Sequence, residues 1–481
     1  MTDQKSTDGA LLKLSIMMFL QFFAWGSWFV TLKLAFNAHD LGDAIGGAYE
    51  SAPIAAIFAP LFLGLVADRL FPSEKVMGVL LLIGAGLMAW IAQLAPGGAA
   101  NGPMIVNLMI AYMCCYMPTL GLANTITFTH LPQEQFPKAR VWGTIGWIAA
   151  GLGLGFAGWS DSLSILWLAS VSTLILGLYC FFLPSTPAPA KGEPINLRSL
   201  LMLDAFTLFK KPAFAVFAIC STLICIPLAY YYGQTADYLG ATGFTEPGSF
   251  MTIGQMSEII FMILIPFFFR KLGVKMMLLI GMGCWVARYA LFSFGAPDQV
   301  AWMLFLGVAL HGICYDFFFV TGFIYTDKTA PKAIRGQAQS LLVFLTQGIG
   351  MFFGFRFAFG GTFPFTDIKL PNTLTSGDTT YGAAPEGTLV KSISDANAGA
   401  PEKSAIDSLL GMFGKGYPDG VDSSLIPANM ASWQNYWIYP MIFAAIVFVI
   451  FAVAFWDKVD TSETDVADAT EAASPDSESA V

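Results

Sequence analysis

The chain is poor in charge. Asp, Glu, Lys and Arg make up 12% of its 481 residues, against 56% hydrophobic and 15% aromatic, with 43 Phe and 12 Trp. A soluble chain of this length needs far more charge to cover its surface. Histidine is scarce too, at positions 39, 130 and 311 only, which argues against a multi-His metal site. The seven cysteines (114, 115, 180, 220, 225, 284 and 314) all lie in apolar stretches, and none forms a C-x-x-C pair. Neither a disulfide framework nor a metal centre is expected from them, and small buried hydrophobes are the default. No nucleophile–base–acid pattern, P-loop or dinucleotide fingerprint occurs, so neither an enzyme nor a cofactor is expected. The glycine-rich GLGLGFAG at 151–158 sits inside an apolar run, where small residues permit close helix packing. A cleavable signal peptide is not expected either: the first dozen residues are polar, and the apolar run after them is too long for one.

What the chain has in quantity is long apolar runs. A window of about 19 residues suits a hydrocarbon core that needs about 20 helical residues. It picks out twelve spans, near 12–36, 43–66, 76–95, 103–130, 139–159, 162–183, 212–238, 249–270, 275–295, 300–326, 335–361 and 433–456. Lys and Arg collect in alternate loops, among them Arg69, Lys75, Lys138, Lys210, Lys211, Arg270, Lys271, Lys275, Lys328 and Lys332. The short loops between them, such as APGGAANGP and WSDS, carry none. This asymmetry predicts that both termini are cytoplasmic.

The expected fold is therefore an all-α integral membrane protein, multi-pass in a bacterial inner membrane. Residues 1–183 form one six-helix half and 212–456 the other. A central cytoplasmic loop, 184–211, joins them, and its LRSLLMLDAFTLFKK suggests a short interfacial helix. Two such halves are the plan of major facilitator transporters. An insertion at 362–432, rich in Gly, Ser, Thr, Asp and Pro, falls on the outer side as a flexible cap or a lid; KSAIDSLLGMF (403–413) could be an amphipathic helix within it. Residues 457–481 are acidic and polar and contribute to the net charge of −9; they read as a disordered, solvated tail. A monomer with no nucleic-acid partner is expected.

The informative residues are polar ones at helical spacing inside spans. Glu258, in MTIGQMSEIIFMILIPFFF (251–269), has no basic neighbour in sequence. A charge at that depth costs roughly 3 kcal/mol, so it marks a water-filled path or a partner. Gln255 lies one turn before it. Arg140, Thr144 and Trp147 are spaced i, i+4, i+7 and share a face. Arginine, hydroxyl and indole together suit a planar polar ligand, bonded at its edges and stacked on its face; Arg140 could equally be an anchor at the positive-inside boundary. Tyr230, Gln234 and Asp237 repeat that spacing just after Pro227, which removes a backbone donor and kinks the helix. They read as a cavity lining or as an interfacial tyrosine cluster. His311 and Tyr315 share a face, with Asp316 about 100° further round. Arg288 is the basic group at similar depth in this half. Glu258, Asp316 and Arg288 sum to −1, which leaves one carboxyl without a counter-charge, the property a proton-coupled carrier needs. The expectation is that Arg288 pairs with Asp316, leaving Glu258 as the proton site with Asp316 assisting. Lys33 and Glu50, in adjacent spans, are expected to pair with each other. Arg356 has no evident partner in the sequence.

Six segments carry a resemblance: LQFFAWGSW (20–28), YMPTLGLANTI (116–126), RVWGTIGW (140–147), LDAFTLFK (203–210), QMSE (255–258) and YDFFF (315–319). GLVADR (64–69) is similar to the loop motif of the major facilitator superfamily. The chain resembles the nucleoside:proton symporter family of that superfamily, from about residue 11 to 356 and again at 433–456. The resemblance implies uptake of nucleosides with protons by alternating access. It implies substrate contacts at Arg140, Thr144, Gln255 and Glu258, with an aromatic position at Trp147. Pro227 and Tyr230 stand where the family favours Gln and Asn, and His311 and Tyr315 where it favours Tyr and Phe. These departures leave a sugar or modified nucleoside as the alternative ligand.

Overall fold

A computed structural model describes residues 2–63, 70–132, 135–188, 197–385, 387–398 and 405–456. The GLVADR segment and the acidic tail lie outside these. Among the described residues, eight helical stretches are long and apolar enough to cross a membrane. Two of them, Ser73–His130 and Pro247–Gly295, run to 58 and 49 residues, over twice the roughly 20 that one crossing needs. The first divides into α4 (Ser73–Leu94) and α5 (Gly102–His130) around a tight turn. The second, α10 (Pro247–Gly295), bends at Gly273, whose φ of 67° suits a residue without Cβ. The surface left around the bundle is apolar, with Ile263 and Val453 at 73% and 70% exposure, while Arg288 and Asp316 are fully buried. This inverts the order of a soluble protein and is that of a multi-pass membrane protein.

The expected first span is broken. α1 (Thr2–Gly26) ends in a turn, and α2 (Leu32–Ala38) resumes beyond it. α3 (Ile45–Phe62) packs on α5, while α6 (Phe136–Ala157) packs on α1 and α7 (Ser164–Cys180) on α4. In the central loop the expected interfacial helix is a short turn, α8 (Leu197–Leu200), followed by a 3-10 turn at Ala205–Lys210. α9 (Pro212–Ala241) and α10 both open on proline, which lacks a donor that would go unused there.

The next stretch, Ala301–Thr329, contains α11 (Ala301–Ala309), α12 (His311–Tyr315), a π-helical turn at Asp316–Val320 and α13 (Thr321–Thr329). Arg335–Ala358 comprises α14 (Arg335–Val343), a second π-turn (Phe344–Gly350) and α15 (Met351–Ala358). Such turns recur at functional sites.

The groups α1–α7 and α9–α15 meet chiefly where α6 packs on α10 and where α3 packs on the Phe344–Ala358 stretch. The glycine-rich run of α6 makes the first contact possible: a Cβ on Gly155 would stand 1.9 Å from Ser249 Oγ.

The insertion is packed rather than loose. It holds a hairpin, β1 (Leu374–Ser376) with β2 (Thr379–Tyr381), and two helices, α16 (Thr388–Ala398) and α17 (Ala405–Gly411). α16 buries Leu389 and Val390 and touches α2, α9 and the last helix, α18 (Leu425–Ala454). Lys391 Nζ lies 2.7 Å from Asp40 Oδ1, α17 packs on α6, and Tyr417 donates to the Ala241 carbonyl at 2.7 Å. The insertion therefore grips both helix groups.

Candidate functional site

A cavity of about 290 Å³ opens between the two groups, close to the lower end of the roughly 300–1,000 Å³ typical of small-molecule sites. It runs from Trp25, Phe29 and Phe355 down past Asn124 and Ser340, toward the ends that carry the basic loops. At the opposite end aromatic rings close it: Phe29 packs edge-on to Tyr49 and Phe355, and Tyr49 stacks on Phe359 at 5.5 Å.

One wall is α6. Arg140, Thr144 and Trp147 all line the cavity, as their spacing predicts. The Arg140 guanidinium sits 4.2 Å over the Phe22 ring, so its charge is held by an aromatic face. Trp147 meets Trp25 edge-on at 5.6 Å, which fixes the indole plane.

The facing wall comes from α10 and α12. Gln255, Glu258, His311 and Tyr315 all reach the cavity. His311 Nε2 lies 4.0 Å from Glu258 Oε2. The two helices approach this closely because position 312 is glycine. A Cβ there would stand 2.6 Å from the Glu258 backbone nitrogen, and the Gly312 amide donates to Ser257 Oγ at 2.9 Å.

Two expected contacts fall elsewhere. Tyr230 is buried against Tyr436 and Tyr439 of α18, at ring distances of 5.6 and 6.0 Å. Tyr232 lines the cavity in its place; two residues are about 200° on a helix, so the faces are opposite. Gln234 accepts a hydrogen bond from Lys33 and donates to the Ala358 carbonyl at 3.3 Å.

Both expected ion pairs are also corrected. Lys33 pairs with Asp237 at 2.7 Å, and Glu50 with Arg356 at 2.9 Å. α2 and α3 present these charges across the interface to α9 and α15, not to one another. Arg288 does not meet Asp316. Its Nε donates to the Gly307 carbonyl at 3.0 Å and its Nη2 to His311 Nδ1 at 3.4 Å. Asp316 follows His311 by five residues, about 140° round the helix, which turns it away from Arg288. Both its carboxyl oxygens are buried without a hydrogen-bond partner among the described residues.

Sequence reasoning passes over Gln21, Asn124 and Gln347, which also line the cavity. Each is an amide within an apolar run, the signal that singles out Gln255.

The profile of the nucleoside H+ symporter family matches residues 9–363. The chain belongs to that family. YegT of Escherichia coli (strain K12) is 41% identical over 360 residues, covering 72% of this chain and 82% of YegT. The nucleoside permease NupG of the same organism is 34% identical over 366 residues (71% and 85%), and its xanthosine permease 30% over 362 (71% and 85%). The crystal structure of NupG superposes with a TM-score of 0.69 at 26% identity, covering 93% of this chain and 100% of NupG. The fold is that of NupG and other transporters of major facilitator type. Members of the symporter family are transporters, not enzymes. The family match ends at residue 363, where the insertion begins.

Proposed function

We propose that this protein carries nucleosides into the cell together with protons, by alternating access through the central cavity. The observation that carries the reading is the set Arg140, Thr144, Trp147, Gln255 and Glu258, gathered on facing walls of one cavity in a nucleoside H+ symporter. Trp147 offers a face for a base, and Gln255 both a donor and an acceptor for its edge. Thr144 and Arg140 offer donors to ribose or base oxygens. Glu258 is the proton site, with Asp316 buried behind it. A proton removes the carboxylate charge, so an apolar gate closes over the loaded site more readily.

The architecture we infer has twelve crossings. They are the eight apolar stretches, two of them double, with α6 and α7. These form halves 1–183 and 212–456 joined by the 184–211 loop. The basic loops and both termini face the cytoplasm, so the cavity opens inward and the aromatic end with its ion pairs closes the outer side. The protein acts as a monomer in the bacterial inner membrane.

The test is uptake of labelled uridine, adenosine and xanthosine into proteoliposomes under an inward proton gradient, with a competition panel of sugars and modified nucleosides. Accumulation that collapses with a protonophore is expected. Competition by a sugar but by no nucleoside would overturn the substrate assignment.

A further inference from the structure

Arg288 lies outside the cavity wall, yet it bonds a residue that lies in it. Its guanidinium has only donors. Nη2 points at His311 Nδ1 at 3.4 Å, Nε is occupied by the Gly307 carbonyl at 3.0 Å, and the group sits 4.0 Å over the Tyr231 ring. Tyr231 in turn stacks on the imidazole, with ring centres 5.1 Å apart and planes 17° apart. Gly254 closes the pocket: a Cβ there would come within 3.0 Å of His311 Cβ. The imidazole is thus held in one plane and approached at Nδ1 by a group that cannot accept.

A ring nitrogen that accepts from a guanidinium must carry its lone pair. In an imidazole the bond made by one nitrogen decides which nitrogen holds the proton. We propose that Arg288 is a positioning residue that fixes His311 as the Nε2–H tautomer, so that the cavity presents a permanent donor beside Glu258. Glu258, 4.0 Å from that nitrogen, is the acceptor it faces when no ligand is bound. A ligand that enters between them has to bring a lone pair to His311, such as a carbonyl oxygen or an unprotonated ring nitrogen of a base. The family's tyrosine hydroxyl could donate or accept; this site donates only. The ligand half of the inference rests on the nucleoside reading above, whereas the tautomer does not.

The chain has three histidines, so His39→Gln with His130→Gln leaves one. Nitrogen-15 NMR of histidine-labelled protein in lipid then reads the His311 tautomer directly. The expected result is a single neutral Nε2–H species. An Nδ1–H species or an imidazolium at neutral pH overturns the proposal, whatever the protein transports. Arg288→Met is expected to yield both tautomers, and Arg288→Lys to restore one. In uptake, His311→Asn, whose amide mimics Nδ1, is expected to have a KM about three- to tenfold above that of His311→Gln, whose amide can stand at Nε2, the reach of one hydrogen bond. Equal KM for the two variants would overturn the donor role. The expected tautomer with no nucleoside transported would leave the positioning intact and remove the nucleoside reading.

Discussion

Lys33 of α2 and Asp237 of α9 form an ion pair of 2.7 Å whose side chains are almost wholly out of solvent, at 8% and 3% exposure. The pair joins the two helix groups at the closed end of the cavity. Lys33 also donates to Gln234 and lies 5.3 Å from the Trp433 ring. Removing one partner of a buried pair costs about 3–5 kcal/mol, because the other charge is stranded, whereas replacing both by apolar groups is often neutral. Lys33→Met is therefore expected to lower the thermal midpoint of the purified protein sharply, and Lys33→Met with Asp237→Leu to recover most of the loss. A double variant no better than the single one would contradict the pairing.

Glu258→Gln keeps the shape of the side chain and removes its titration. Concentrative uptake driven by a proton gradient is expected to fall to background, while nucleoside counterflow, which needs no net proton movement, continues. Gradient-driven accumulation by the variant would mean that the proton rides elsewhere.

Gly312→Ala should be severe for so small a change. The added methyl meets backbone atoms of Ser257 and Glu258 at 2.5–2.6 Å, and backbone cannot rotate aside. Displacing Glu258 and His311 by even about 1 Å is of the size that costs about 10²-fold in a catalytic site. A fall of at least tenfold in kcat/KM for uptake is expected, with folded protein still recovered.

Tyr230→Phe separates the cavity from the core. Among the described residues the buried Tyr230 hydroxyl has no hydrogen-bond partner, so its loss should leave both stability and KM nearly unchanged. Trp147→Ala, by contrast, removes a wall of the site and should raise KM about tenfold or more, since a stacked base is worth about 1–3 kcal/mol. A larger KM effect at Tyr230 than at Trp147 would reverse their placement.

The Asp40–Lys391 contact is exposed and makes its own pH prediction. Lys391, by hydrogen bond and charge, holds the Asp40 carboxyl below its usual range. Such a group contributes above its unfolded pKa, and the contribution is lost as pH falls through the lowered value. The contact should thus persist at mildly acidic pH and loosen only below the ordinary aspartate range. With Ala38→Cys introduced as a reporter, Asp40→Asn should raise labelling at that end of α2 only modestly, about twofold. A strong rise in that labelling between pH 7 and 5 with Asp40 intact would refute it.

The helices and the α6 face are legible in the sequence because helical spacing settles them locally. Arg140, Thr144 and Trp147 need only a helix to share a side. Partner choice is another matter. Lys33 and Glu50 are neighbours along the chain, but their counter-charges lie some 200 and 300 residues on, at Asp237 and Arg356. Only the packing of α2 on α9 and of α3 on α15 reveals that. The run Tyr230–Tyr231–Tyr232 covers more than half a turn, so periodicity cannot say which ring looks inward. Arg288 and Asp316 match in charge, yet the turn of the helix after His311 separates them.

The insertion has a consequence for how the molecule can be handled. Its α16 rests on α2 from one helix group, on α9 from the other and on α18, which packs against α9, with Leu389 and Val390 tucked beneath. For the two groups to part at that end, α16 must leave at least one of them and show those side chains. An antibody fragment raised against α16 together with the Asp40 loop would recognise only the arrangement described above and arrest the cycle. One raised against the underside of α16 would select the other. The extra seventy or so residues thus amount to an external handle by which the state of a buried binding site could be read, or held, without touching the nucleoside pathway.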